Sequence, residues 1–148
     1  VLIRNMHRWT AHLMVMFVSL HMLRVFLTGA YKPPRELNWI VGVILLVLTM
    51  LSSFTGYLLP WDQLAYWGVT IGCSMGENAP LLGAKGPFAL LESGKDVNSI
   101  LVGGAAVGQP TLLRFYLLHA IALPLGITGL MGFHFWRIRR AGGVSGPL

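Results

Sequence analysis

Charge is what this sequence has least of. Asp, Glu, Lys and Arg make up only 11% of its 148 residues, where a soluble domain carries about 25%. Hydrophobic residues make up 55%, and the mean hydropathy is +0.66. A chain this poor in charge cannot clothe itself for water, so its expected solvent is lipid. Cysteine is almost missing too. The single Cys73 excludes an internal disulfide framework, a c-type haem attachment motif and a zinc cluster, and reads as an incidental thiol. A secretory leader is not indicated either. The first apolar stretch lacks a short basic front and a small-residue cleavage site, and it carries histidines where a leader is purely apolar.

Long uncharged runs take the place of charge. Residues 9–23, 37–59 and 115–136 contain no Asp, Glu, Lys or Arg. The second and third exceed the roughly 20 residues needed to cross a hydrocarbon core, and the helical pattern of the first extends beyond it on both sides. The expected fold is all-α: a transmembrane helical bundle with three spans, over about residues 3–28, 36–59 and 111–138, in a single domain over residues 1–148. The sequence opens almost directly on helical pattern with no capping residue, so an earlier helix is expected to precede it.

The connections are unequal. Tyr31-Lys32-Pro33-Pro34-Arg35-Glu36 is short, and its prolines make a tight link between antiparallel neighbours. Pro60 ends the second span, and Trp61, Tyr66 and Trp67 suit a membrane interface. Residues 60–110 form the long loop of the opposite face. Residues 63–73 within it are amphipathic enough to lie along the membrane surface, and residues 83–108 read as surface loop with a short helix near 88–92. The net charge of +6 reflects topology rather than nucleic-acid binding. Lys32 and Arg35 lie in the first loop, and Arg137, Arg139 and Arg140 in the tail. Three spans put both on one face, which the positive-inside rule makes cytoplasmic or its organellar equivalent.

Ionisable side chains inside a membrane are expensive and need a reason. His7 and His21 are 14 residues apart on the first span, and His119 and His134 are 15 apart on the third. At about 100° and 1.5 Å per residue, each pair returns to within roughly 60° of one direction and is separated by about 21–23 Å along its helix. Each span therefore offers one histidine near either side of the bilayer. With the two helices antiparallel, His7 falls level with His119 and His21 level with His134. Opposed imidazoles at one level can be axial ligands of a haem iron, giving two bis-histidine b-type haems, one above the other. Pro124 is expected to bend the third span and absorb its extra residue.

Two further spacings agree. Arg4, Arg24, Arg114 and Arg137 each lie outward of their histidine, where they can neutralise haem carboxylates; ordinary interfacial arginine is the plain alternative. Gly42 and Gly56 are again 14 apart on the middle span. Glycine lets a flat macrocycle approach a helix closely, although small residues also serve plain helix packing. Gly42 belongs at the His21/His134 level and Gly56 at the His7/His119 level. His12, about 140° round from His7, reads as a packed or hydrogen-bonded histidine rather than a ligand. No residue is singled out as catalytic.

These residues resemble the cytochrome b family, in its cytochrome b6 branch. The resemblance rests on Arg4-Asn5-Met6-His7-Arg8-Trp9, on His21 to Arg24 with Thr28-Gly29, on Lys32-Pro33-Pro34-Arg35-Glu36-Leu37, on Thr55-Gly56-Tyr57-Leu58-Leu59-Pro60-Trp61-Asp62-Gln63, on Leu113-Arg114-Phe115-Tyr116 with His119, and on Gly143-Val144-Ser145-Gly146-Pro147-Leu148. It covers nearly the whole chain, and the spacing of 15 between His119 and His134 fits this branch. It implies helices B, C and D of a four-helix di-haem bundle, with helix A and its haem-attaching cysteine outside this sequence. A further covalent c-type haem is left open by this chain. It implies that His7 and His119 hold the positive-side haem and His21 and His134 the negative-side haem. It also implies a dimeric complex in an energy-transducing membrane, bacterial or thylakoid-type. The partners would be a Rieske iron–sulfur protein, a c-type cytochrome, and a subunit IV-like chain or the C-terminal half of cytochrome b. That complex oxidises quinol at the positive side, reduces quinone near the negative side and moves protons. Residues 57–67 are expected to line one wall of the quinol pocket. The loop over residues 85–104 is longer than the family pattern.

Two other functions fit parts of the pattern. A di-haem membrane anchor of a quinone-linked dehydrogenase or reductase keeps the haems and changes the partner. A proton-coupled transporter with a histidine relay keeps only the histidines, and it has no need of matched levels or of an arginine outside each one.

Overall fold

The computed structural model describes residues 1–81, 83–92 and 94–143. The C-terminal motif from Val144 to Leu148 lies outside the described residues. All regular structure among the described residues is helical. The helices are α1 (Leu2–Leu27), α2 (Glu36–Leu58), α3 (Gln63–Glu77), α4 (Val97–Val102) and α5 (Gln109–Leu117), then a π-helical turn (Leu118–Ala122) and α6 (Leu123–Arg140). Three stretches are long and apolar enough to cross a membrane: Leu2–Leu27, Glu36–Leu58 and Gln109–Arg140. The three expected spans are therefore present, with ends displaced by at most two residues. The protein is a multi-pass integral membrane protein.

The chain divides into two compact units: Val1–Ser53 with Leu123–Leu148, and Phe54–Ala122. The first holds α1, most of α2, and α6. No residue of α1 is buried, although Met14, Met16, Phe17, Leu20 and Leu23 are all on it and exposed. A helix apolar on every side is unsuited to water and belongs in lipid or against other membrane helices. α1 ends where Thr28 and Gly29 stop it. Gly29 takes φ +66°, a conformation that costs glycine little. Its N–H donates to the Phe26 carbonyl at 3.1 Å, and that of Ala30 to Val25 at 3.0 Å. This paired bonding closes the helix C-terminus in the Schellman pattern. Tyr31 then stacks on Phe26 at 5.7 Å and leans on Trp39 of α2 at 5.5 Å. The short loop is thus held by aromatic contact between the ends of the two helices it joins.

The second unit has its own core of Leu58, Ala65, Val69, Cys73, Val102 and Phe115. Asp62 starts α3 by accepting the Ala65 N–H at 2.8 Å, a cap of the kind worth about 1 kcal/mol. One face of α3 then buries Ala65, Val69 and Cys73, so the amphipathic stretch after Pro60 is a true helix packed on protein. Burial, and secondarily Glu77, push the Cys73 thiol above its ordinary value. That makes it a poor nucleophile and agrees with its reading as an incidental thiol.

The short helix expected near residues 88–92 is not there. Phe88 has φ +58°, and the stretch is turn and irregular chain. The helix of this loop is α4, further along the chain. Asp96 starts it, accepting both the backbone N–H and the hydroxyl of Ser99. Its Val102 is buried in the core, and the Val102 carbonyl accepts the Thr111 hydroxyl at 2.7 Å. Asn98 and Lys85 both donate to the Glu77 carboxylate at 2.7 Å. The long loop is therefore partly tied to the end of α3.

Candidate functional site

In the first unit, His21 of α1 and His134 of α6 line one cleft. Met22, Val25, Ala30, Tyr31, Arg35, Asn38, Trp39 and Gly42 complete most of its wall. Its atom-free space is about 500 Å³, partly open to the outside. The lining is mainly apolar, with two imidazoles from different helices as its titratable groups besides Arg35 and Tyr31. The Nδ1 of His134 is buried with no hydrogen-bond partner among the described residues. An orphaned ring nitrogen is costly unless something outside the polypeptide satisfies it. Gly42 faces the same ring: a Cβ there would stand 3.6 Å from His134 Cε1 and 3.7 Å from Met22 Sδ. His21, His134 and Gly42 thus lie together within one unit.

In the second unit, Gly56 backs onto His119. A Cβ at Gly56 would fall 2.5 Å from the ring's Cε1 and 3.0 Å from Nδ1. The Thr55 hydroxyl lies 3.2 Å from His119 Nδ1, a contact that sequence reading did not single out. His7 stands on α1 in the first unit, so its pairing with His119 belongs to the proposal below. His12 is exposed and sets its ring edge-on to Trp9 at 6.1 Å.

A local feature stands close to Pro124, where the extra residue between His119 and His134 was expected to be absorbed. His119 lies inside the π turn Leu118–Ala122, which ends two residues before Pro124. Proline has no N–H to give the carbonyl four residues back, and a shift to i→i+5 bonding lets that carbonyl find another donor. A π turn spends one more residue per revolution than an α turn, and such turns concentrate at functional sites.

The arginines separate. Arg137 has a buried Nε with no partner among the described residues. Arg4 and Arg24 are exposed, and neither lines the cleft. Arg114 donates to the Ile100 carbonyl and packs against Gly103, where a Cβ would strike its guanidinium. Arg114 is therefore engaged by the end of α4. Sequence reading missed Arg35, whose charge was assigned to topology alone.

No three His, Cys, Asp or Glu side chains converge on a metal site among the described residues. A bare ion is poorly served by such a donor set. Two imidazoles suit an iron whose other positions are filled by a macrocycle.

Residues 12–147 match the family described as Cytochrome b(N-terminal)/b6/petB. The chain belongs to this family. It is 48% identical over 147 residues to the cytochrome b6 of Gracilaria tenuistipitata var. liui, 49% to that of Oltmannsiellopsis viridis and 47% to that of Acaryochloris marina. Each alignment covers 99% of this chain and 63% of the relative, so the chain spans somewhat less than two thirds of their length. Membership of the cytochrome b family implies haem b. The His21–His134 cleft, with its orphaned nitrogen and the glycine behind it, fits such a group.

Proposed function

We propose that this cytochrome b family chain is the di-haem electron-transfer subunit of a quinol-oxidising complex. In this reading its two compact units together make a single di-haem domain. The observation that carries it is the shared cleft of His21 and His134, backed by Gly42. The haems would supply one-electron redox chemistry. His21 and His134 would hold one on the negative side of the membrane, with Arg137 outward of His134. His7 and His119 would hold the other on the positive side, with Arg4 outward of His7 and Gly56 leaving room beside the ring. The role of Arg114 there competes with its bond to Ile100. In this reading the π turn would offset the one residue by which the His119–His134 spacing exceeds that of His7 and His21.

The wider reading follows the same lines. Quinol oxidation at the positive face and quinone reduction at the negative face would be linked through this subunit, with protons released and taken up on opposite faces. A Rieske iron–sulfur protein and a c-type cytochrome would accept the other electron. A subunit IV-like chain or a C-terminal half of cytochrome b would complete the quinol pocket in a dimeric complex. Family membership favours this over a dehydrogenase anchor, and the orphaned His134 nitrogen favours it over a proton relay, which needs its imidazoles hydrogen-bonded in a chain. A reduced-minus-oxidised spectrum of the purified complex, with a pyridine haemochrome count, tests it. Two b-type components and two non-covalent haems per chain are expected. A single component, or none, overturns it.

A further inference from the structure

Arg35 closes the short loop before α2 and is only 9% exposed. Its Nε has no hydrogen-bond partner among the described residues, and it lines the same cleft as His21, His134 and Gly42. A guanidinium buried without an anion carries a heavy desolvation cost. The polypeptide has little to offer it. Glu36 is the sole acidic side chain of the first unit, against eight basic ones: Arg4, Arg8, Arg24, Lys32, Arg35, Arg137, Arg139 and Arg140. Glu36 is exposed, and neither ion pair found among the described residues includes it or Arg35. The other acids are engaged in the second unit: Asp62 caps α3, Glu77 takes Lys85, Glu92 takes Lys95, and Asp96 caps α4.

No acidic side chain among the described residues pairs with Arg35, so an anion from outside the chain would satisfy it. Four of the five buried polar atoms without partners belong to Arg35, Asn38, His134 and Arg137, all in the first unit. Three of these residues line the cleft itself. We propose that Arg35 binds a carboxylate of the haem held between His21 and His134, and that it, rather than the exposed Arg24, is the principal cation for that group. This rests on the di-haem reading. The guanidinium presents a planar fork of donors, which suits a carboxylate better than a single ammonium does. A phospholipid headgroup at this basic face is the other source of such an anion.

The test is redox titration of the purified complex carrying Arg35→Gln, Arg35→Lys or Arg24→Gln. A cation near the carboxylate favours the reduced iron. Its removal in Arg35→Gln should lower the reduction equilibrium constant of one b component by about tenfold, ~59 mV for one electron, and leave the other in place. Arg35→Lys should restore most of the potential, and Arg24→Gln should shift it less. Should Arg35→Gln fail to load the haem, the Lys variant carries the test: it is expected to load, and loss of haem there too overturns the proposal. Unchanged potentials in Arg35→Gln with both haems loaded also overturn it, and a fall in bound phospholipid phosphate alongside would assign the anion to lipid. A wild-type complex without two b components would instead sink the di-haem reading, whatever the variants do.

Discussion

Gly56 leaves no space for a side chain beside His119: a Cβ there would lie 2.5 Å from the ring's Cε1. The corresponding distance from Gly42 to His134 is 3.6 Å, an ordinary contact. The two glycines share a spacing with the histidines, but they differ in how much room they leave.

That difference predicts unequal effects of the same substitution. Gly56→Ala must displace the imidazole or bend α2, at the roughly 1–3 kcal/mol typical of overpacking. Gly42→Ala should be tolerated. The amplitudes of the two b-type α-bands in membranes from each variant check this. Gly56→Ala is expected to weaken one component clearly, and Gly42→Ala to leave both near wild type. Equal amplitudes in the two variants would contradict the geometry.

Thr55 predicts a change in potential rather than in loading. If His119 holds iron through Nε2, its Nδ1 carries a proton and can donate it to the Thr55 hydroxyl 3.2 Å away. Such a partner raises the basicity of a ligand histidine and so favours oxidised iron. Thr55→Val should therefore raise the potential of that component by a few-fold in equilibrium constant, with haem content unchanged. A fall in potential, or no change, would remove the hydroxyl from this role.

The long loop should respond to acid through Asp96. The Ser99 hydroxyl, and with smaller weight the Ser99 and Ala84 backbone, hold its carboxyl below the usual range against the opposing effect of burial. A depressed folded-state value means that the stabilisation is complete above the unfolded value of about 3.9 and is lost as pH falls through the lower folded one. Protection of the Ser99 amide against hydrogen exchange should fall in that acid window. Asp96→Asn should abolish the acid step. A step of the same size in the variant would place its origin elsewhere.

The spans were legible because a folded chain rarely runs more than about 20 residues without charge unless lipid surrounds it. Histidine spacing was equally legible, since helix geometry turns a count of residues into a direction and a height. α4 was missed although its signal is present: Asp96 with Ser99 three residues on is a helix start. That helix is six residues long and buries only Val102, too little apolar pattern to mark it. The π turn was not legible, because periodicity cannot distinguish a local i→i+5 shift from a bend at Pro124. Arg35 was hidden for another reason. A loop arginine reads as a topology signal until its burial and the lack of nearby acid are known.

The most direct measurement is the reduced-minus-oxidised spectrum, with redox titration, of the complex carrying His21→Leu. The account predicts that one b-type component disappears while the other keeps its full amplitude and potential. Two components at wild-type amplitude in that variant would contradict it, because iron would then be held without the imidazole that shares a cleft with His134.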